Sequence, residues 1–256
     1  MAFETRARRV THRATFVFFC LAAAVALYWV TLPSAEALRR SNPASTALMD
    51  ARIREARQQG RAARKNQHWV PLNRISLWLV RAVVHSEDAR FFDHEGIDVE
   101  QTRIALTSAV EDGHFGRGAS TITQQLAKNL WLGEERTLWR KVRELVLAHR
   151  LESLGKTRVL ELYLNVVEWG DGVYGADAAS RVWFQKPAEN LLPEEAAVLA
   201  AMLPAPRKRI PSRPSPALRK RAHEILTLYW TYGELSPEEL AAARWRLREI
   251  LAGRRS

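Results

Sequence analysis

The chain has 256 residues, 39 Lys plus Arg against 28 Asp plus Glu, a formal net charge of +11 and a single cysteine, Cys20. That length allows one or two domains with a sizeable core. One cysteine excludes an internal disulfide and a cysteine-built metal site. The basic balance favours anionic partners: nucleic acid, phospholipid head groups or phosphorylated substrates.

Residues 1–13 form a basic tail carrying Arg6, Arg8, Arg9 and Arg13. Residues 14–32 are apolar apart from Thr15 and Thr31. As a helix this stretch spans about 28 Å, close to the roughly 30 Å hydrocarbon core of a bilayer. The arginine flank predicts a cytoplasmic N-terminus and an external location for everything after Pro33. Tyr28 and Trp29 fall where an interfacial aromatic belt belongs. A cleaved signal peptide competes with this reading, because Ala35-Glu36-Ala37 resembles a cleavage site. The length of the apolar run favours a transmembrane anchor, with Cys20 as an embedded small hydrophobe.

Residues 33–68 read as a basic juxtamembrane linker. Within it, 46–65 is helical in character, with Arg52, Arg54, Arg57, Arg61, Arg64 and Lys65 against few large apolar positions, Leu48, Met49 and Ile53. Two readings stand: a solvated linker helix, or a helix lying on anionic head groups just outside the anchor.

From Trp69 the composition turns globular. Apolar spacing predicts helices over 75–85 and 97–110, and the glycines of 111–118 predict a loop. Ser120 or Thr121 then caps a helix, and Thr121 with Gln124 has capping-box spacing. A strong amphipathic helix is predicted over 138–152, with Leu138, Val142, Leu145 and Ala148 on one face. Residues 158–169 read as a buried helix stopped by Gly170. Pro193 opens an apolar helix running to Leu203, prolines punctuate 204–216, and Ser236-Pro237-Glu238-Glu239 caps a last helix. No alternating strand pattern appears, so the fold is predicted to be mostly α. Residues 69–230 form the predicted catalytic domain and 231–256 a C-terminal helix.

Two polar stretches, 84–96 and 118–129, gather the residue types that do chemistry. In the first, Glu87 and Asp88 precede Phe91 and Phe92. A carboxylate beside aromatic rings can have its pKa raised, which suits a general base; a solvated acidic turn is the plainer alternative. In the second, helical geometry groups Thr121, Gln124, Gln125 and Lys128 on one broad face. Hydroxyl, amide and ammonium donors near a helix start can hold sugar hydroxyls and phosphate oxygens. An ordinary exposed face seldom chooses these residues over Glu and Lys. On the next predicted helix Arg136, Arg140 and Glu144 form a stripe with Lys141 beside it. It is either a surface ion pair or a cationic clamp for a pyrophosphate.

Other motifs carry less. Residues 170–175 match GxGxxG but follow a helix rather than a strand, so a dinucleotide site is not expected. Ser153-Leu154-Gly155-Lys156 matches SxxK without the Lys-Thr-Gly that should accompany it. The histidines show no metal spacing.

Taken together, Glu87-Asp88-x-x-Phe91-x-x-His94-x-Gly96, then Gly118-x-Ser120-Thr121-Ile122-Thr123-Gln124-Gln125, then Arg140-Lys141-x-x-Glu144 resemble the first three motifs of the peptidoglycan glycosyltransferases, glycosyltransferase family 51. Leu160-Glu161-Leu162-Tyr163-Leu164-Asn165 with Gly170, Gly175 and Ala178 resembles the fourth. Ala200-Ala201-Met202-Leu203-Pro204-x-Pro206 with Ser215-Pro216 resembles the fifth. The likeness runs in unbroken order from Trp69 to about Arg221. It departs at Trp183, where Tyr is expected, and no transpeptidase domain follows, as in the monofunctional members.

The resemblance implies a lysozyme-like helical lobe with a smaller membrane-proximal lobe. It implies lipid II as substrate, polymerised with inversion into β-1,4-linked glycan with release of undecaprenyl pyrophosphate. Glu87 is then the candidate base for the acceptor hydroxyl, and Glu144 a second catalytic carboxylate that orients the leaving-group site. Asp88, Phe91, His94, Ser120, Thr121, Gln124, Gln125, Lys128, Arg136, Arg140 and Lys141 would bind substrate and pyrophosphate. Mg²⁺ or Mn²⁺ held by Asp88 or Glu144 would assist, with no organic cofactor. The expected partners are lipid II, the growing glycan, membrane lipids and proteins of cell-wall synthesis or division, and no nucleic acid. The expected location is the bacterial inner membrane, with the catalytic domain periplasmic or extracellular. Two rivals remain: a lysozyme-like enzyme that cleaves peptidoglycan, whose leaving sugar oxygen needs an acid, and a non-catalytic membrane-held cell-wall-binding protein.

Overall fold

The computed structural model describes residues 15, 16, 18–20, 23, 25, 27–112, 120–133 and 137–252. It divides into two compact units, Met1–Ser34 and Ala35–Ser256. In the first, the described residues between Thr15 and Thr31 are helical. Among the described residues no helix is long and apolar enough to cross a membrane. The predicted anchor lies partly, and the basic tail wholly, outside the described residues.

The second unit is mostly helical. Its helices are α1 (Ala47–Gln58), α2 (Leu77–Glu87), α3 (Val99–Asp112), α4 (Ile122–Ala127), α5 (Leu138–Glu152), α6 (Lys156–Val166), α7 (Ala176–Phe184), α8 (Pro193–Met202), α9 (Pro216–Thr231) and α10 (Pro237–Leu251). A π-helical turn, Lys128–Leu132, extends α4. Two short strands, β1 (Asn66–Gln67) and β2 (Val173–Tyr174), pair in parallel. The glycine-rich turn that precedes β2 serves this pairing. At Gly172 (φ +74°) an added Cβ would meet Arg64 Cβ at 2.6 Å, and at Gly175 (φ +84°) it would meet the Asn165 carbonyl oxygen at 2.7 Å.

α8 is the hub. After Glu194 and Glu195 its sequence is apolar all round, and every residue from Pro193 to Met202 is buried. Small alanine side chains let α2, α9 and α10 approach it closely. Its buried acids are paired: Glu194 with Arg246 of α10 at 2.5 Å, and Glu195 with Lys186 at 2.8 Å. Trp169 donates its indole N–H to the Leu199 carbonyl at 2.9 Å, and Trp183 donates to the Trp169 carbonyl at 2.9 Å. The departure at Trp183 is thus absorbed by packing.

Three expectations need amendment. The basic segment before Trp69 is not a solvated linker: Leu48, Met49 and Ala56 of α1 are buried, and α1 packs on the π turn. Arg52 pairs with Glu168 at 3.2 Å and Glu55 with Arg207 at 2.9 Å, so its charges are used to dock it. The buried stripe of α5 is Glu144, Leu147, Ala148 and Leu151, whereas Leu138 is 89% exposed and Trp139 and Val142 are exposed with it. The side of that helix carrying Leu138, Trp139 and Val142 faces outward, while Lys141 and Glu144 of the same half face α4. The third amendment adds α7 and α9, which sequence spacing did not isolate.

Candidate active site

The apolar side of α2, made by Leu79, Ala82, Val83 and Val84, is buried, and this places Glu87 and Asp88 where the helix stops. Asp88 Oδ2 accepts the backbone N–H of Ile122 at 2.9 Å, and its Oδ1 lies 2.9 Å from His94 Nε2. Asp88 therefore joins the first polar stretch to the start of α4, where the positive helix end favours a carboxylate. Thr121 caps α4: its hydroxyl accepts from the Gln124 N–H at 3.1 Å and donates to the Gly96 carbonyl at 2.6 Å. Only this half of the expected capping box forms, because the Gln124 side chain is engaged elsewhere.

Gln124 and Gln125 are adjacent on α4 and take different partners, Lys141 and Glu87. Gln125 Nε2 donates to Glu87 Oε2 at 3.0 Å, and Gln125 Oε1 accepts from the Tyr163 hydroxyl at 2.9 Å. Burial pushes the Glu87 carboxyl above the usual range; the Gln125 hydrogen bond and the charges of Arg221, Arg209 and Lys128 pull the other way. Burial, and then the Glu87 and Asp88 charges, hold the Tyr163 phenol well above its ordinary value, so it stays a donor.

Gln124 Oε1 accepts from Lys141 Nζ at 3.2 Å. The same ammonium donates to Ser120 Oγ at 3.1 Å and to Glu144 Oε1 at 2.5 Å. Glu144 Oε2 takes Arg140 at 2.5 Å. Glu144 is 3% exposed, so this is a buried carboxylate between two cations and not a surface ion pair. Lys141, expected beside the stripe, is the residue that joins α5 to α4.

Beside these groups lies a cavity of about 190 Å³ lined by Glu87, Asp88, Asp98, Ser120 and Thr121 among others. The fold brings together Glu87, Asp88, His94, Ser120, Thr121, Gln124, Gln125, Arg140, Lys141 and Glu144 by direct contact, with Lys128 close enough to act on the Glu87 charge. Phe91 is a core residue: fully buried, it stacks edge-on to Phe92 at 5.0 Å, with Lys156 Nζ 4.6 Å from its ring. Arg136 lies outside the described residues. Sequence reasoning missed Tyr163, Arg209 and Arg221. Tyr163 stands in an apolar helical run, Arg209 in the proline-punctuated segment and Arg221 among the several basic residues of α9, where nothing singles them out.

The donor set does not fit a divalent cation. The Asp88 carboxylate already faces a helix start and His94, and both oxygens of Glu144 face cations. Among the described residues no group of three or more acidic, His or Cys side chains could hold a metal. The SxxK motif is also not a dyad: Ser153 donates to the Arg150 carbonyl, and Lys156 pairs with Glu152 at 3.0 Å.

The profile of the Transglycosylase family matches residues 53–229. A protein of Dechloromonas aromatica is 45% identical over 186 residues, 72% of this chain and 80% of its own length. One of Nitrosospira multiformis is 39% identical over 212 residues, 82% of this chain and 92% of its own. One of Thiobacillus denitrificans is 48% identical over 167 residues, 65% of this chain and 72% of its own. Each of the three is named biosynthetic peptidoglycan transglycosylase.

Proposed function

The chain belongs to the transglycosylase family, and from that membership we propose how its site polymerises glycan. It is a peptidoglycan glycosyltransferase of cell-wall synthesis. The reading is that it joins lipid II units into β-1,4-linked strands on the outer side of the cytoplasmic membrane. The observation that carries the mechanism is a pair of carboxylates beside α4: half-buried Glu87, hydrogen-bonded by the neutral Gln125 amide, and buried Glu144, clamped by Arg140 and Lys141.

Glu87 is the base. Its carboxylate pairs with a neutral amide, so its lone pairs are not committed to a cation. The acceptor 4-hydroxyl gives its proton to Glu87 as its oxygen attacks C1 of the donor sugar. The C1–O bond to pyrophosphate breaks on the opposite face, which inverts the anomeric centre. Undecaprenyl pyrophosphate leaves as a stable anion and needs charge neutralisation more than a proton. Lys128, Arg140 and Lys141 supply the charge, and no step is routed through a metal. Glu144 holds Arg140 and Lys141 in place.

A lysozyme-like core lobe with a smaller membrane-facing lobe agrees with the exposed apolar end of α5, where Leu138, Trp139 and Val142 can meet lipid. That surface supports membrane lipids as partners of a catalytic domain held at the bilayer. Cleavage of finished glycan, the lysozyme-like alternative, leaves the Arg140–Glu144–Lys141 cluster without a use. The test is purified protein incubated with labelled lipid II. Growth of lysozyme-sensitive polymer is the expected result. No polymer, with degradation of preformed glycan instead, would transfer the site to the hydrolase reading.

A further inference from the structure

The match to the transglycosylase family ends at residue 229, yet the chain just beyond it returns to the base-bearing helix. α9 ends at Thr231, and Gly233 turns the chain in a left-handed conformation (φ +71°). The Glu234 N–H then bonds to the Tyr229 carbonyl at 2.8 Å. This sends the Glu234 side chain onto α2. With its proton on Nε2, His85 donates to Glu234 Oε1 at 3.0 Å, and Arg81, one turn earlier, reaches the same oxygen at 3.2 Å. The His85 ring stacks on Tyr232 with centroids 4.0 Å apart and planes 10° from parallel. The His85 and Glu234 side chains are 14% and 13% exposed, so the contact is largely dry. A second strut runs from α9: Arg221 donates to the Ser86 carbonyl at 2.7 Å.

We propose that the Tyr232–Glu234 turn is a clasp that sets the rotation of the last turn of α2, making His85 and Glu234 positioning residues for Glu87. His85 is two positions before Glu87, about 200° away around the helix. Gripping one side of that turn therefore fixes where the opposite side points. Glu87 itself meets Gln125 through a hydrogen bond of 3.0 Å. A misplacement of about 1 Å at a reacting group can cost about 100-fold in rate, so a clasp of this kind acts on turnover.

The inference rests on the glycosyltransferase reading, and the test separates the two. Full-length wild type, Glu234→Ala, Glu234→Gln, His85→Ala and the His85→Ala/Glu234→Ala double variant are compared on lipid II, with thermal melts alongside. Glu234→Ala and His85→Ala should each lower kcat by about tenfold and leave KM within about twofold. The double variant should be no worse than either single, because both break one clasp. Glu234→Gln keeps an acceptor oxygen for His85 and should retain most of the turnover. If wild type makes no polymer, the proposed function falls. If wild type polymerises but both alanine variants keep its kcat, even while melting lower, the clasp is a stabilising contact only and the proposal is wrong. Glu234→Gln as slow as Glu234→Ala would overturn it too, by showing that charge and not position matters.

Discussion

The Tyr163 hydroxyl donates to Gln125 Oε1 at 2.9 Å, and this settles which end of the Gln125 amide faces Glu87. With its oxygen committed, the amide turns its N–H₂ to the carboxylate. Tyr163→Phe removes the donor that decides the orientation. The variant should fold, lose about 1 kcal/mol of stability for one buried hydrogen bond, and turn over lipid II several-fold more slowly. Gln125→Ala should cost more, about tenfold, since it removes the amide donor that meets Glu87. A Tyr163→Phe enzyme with wild-type kcat would remove Tyr163 from the mechanism.

Glu87→Gln keeps the shape and removes the basicity. Polymerisation should fall by at least about 100-fold, the scale of general-base catalysis. Purified variant and wild type compared on labelled lipid II decide it. Near-normal turnover by a folded variant would reject the assignment.

The same substitution should change stability with a definite sign. Burial raises the folded-state pKa of Glu87 above its unfolded value. The folded state therefore holds this proton more tightly, and the stabilisation that follows is lost as pH rises through the folded-state pKa. Glu87→Gln should thus raise the melting temperature at neutral pH, and the gain should shrink towards zero below the ordinary glutamate range. Wild-type turnover should rise with pH as Glu87 loses its proton, with a midpoint above that range. A melting difference that does not vary with pH would contradict the burial of this charge.

Lys141 joins Ser120, Gln124 and Glu144, so Lys141→Ala should loosen α5 from α4 and remove a leaving-group cation together. Turnover should fall by about 100-fold, the cost of one preorganised charge-stabilising donor. Arg140→Ala should also depress it, with Arg140→Lys restoring only part, because an ammonium cannot copy the guanidinium fork. Activity on lipid II should be set beside activity on preformed glycan. Variants that polymerise lipid II normally would remove the cations from catalysis.

The arginine-flanked start of the chain predicts that a reporter fused after Ser256 works only outside the cytoplasm. Activity of a cytoplasm-only reporter at that position would overturn the external placement of the domain.

The polar density of 84–96 and 118–129 was legible without coordinates, because a core has no use for acids, hydroxyls and amides crowded together. The helices over 138–152 and at Pro237 were equally legible, since periodicity and caps are local. Glu87, Gln124, Gln125, Arg140, Lys141 and Glu144 all sit in short motifs, and the fold brings these motifs into contact. What the sequence could not order was partnership. Gln124 and Gln125 are neighbours in the chain, but only the packing of α5 and α6 against α4 decides that one takes Lys141 and the other Glu87. Phe91 reads like a site aromatic and becomes core because α2 ends just before it and turns the ring inward. The segment 46–65 reads as linker because its basic residues outnumber its large apolar residues, yet Glu55 and Glu168, far apart in the chain, neutralise Arg207 and Arg52 where they meet. Tyr163 and Glu234 escaped notice because each acts on a residue tens to more than a hundred positions away. Such pairs form only when the whole chain closes on α8.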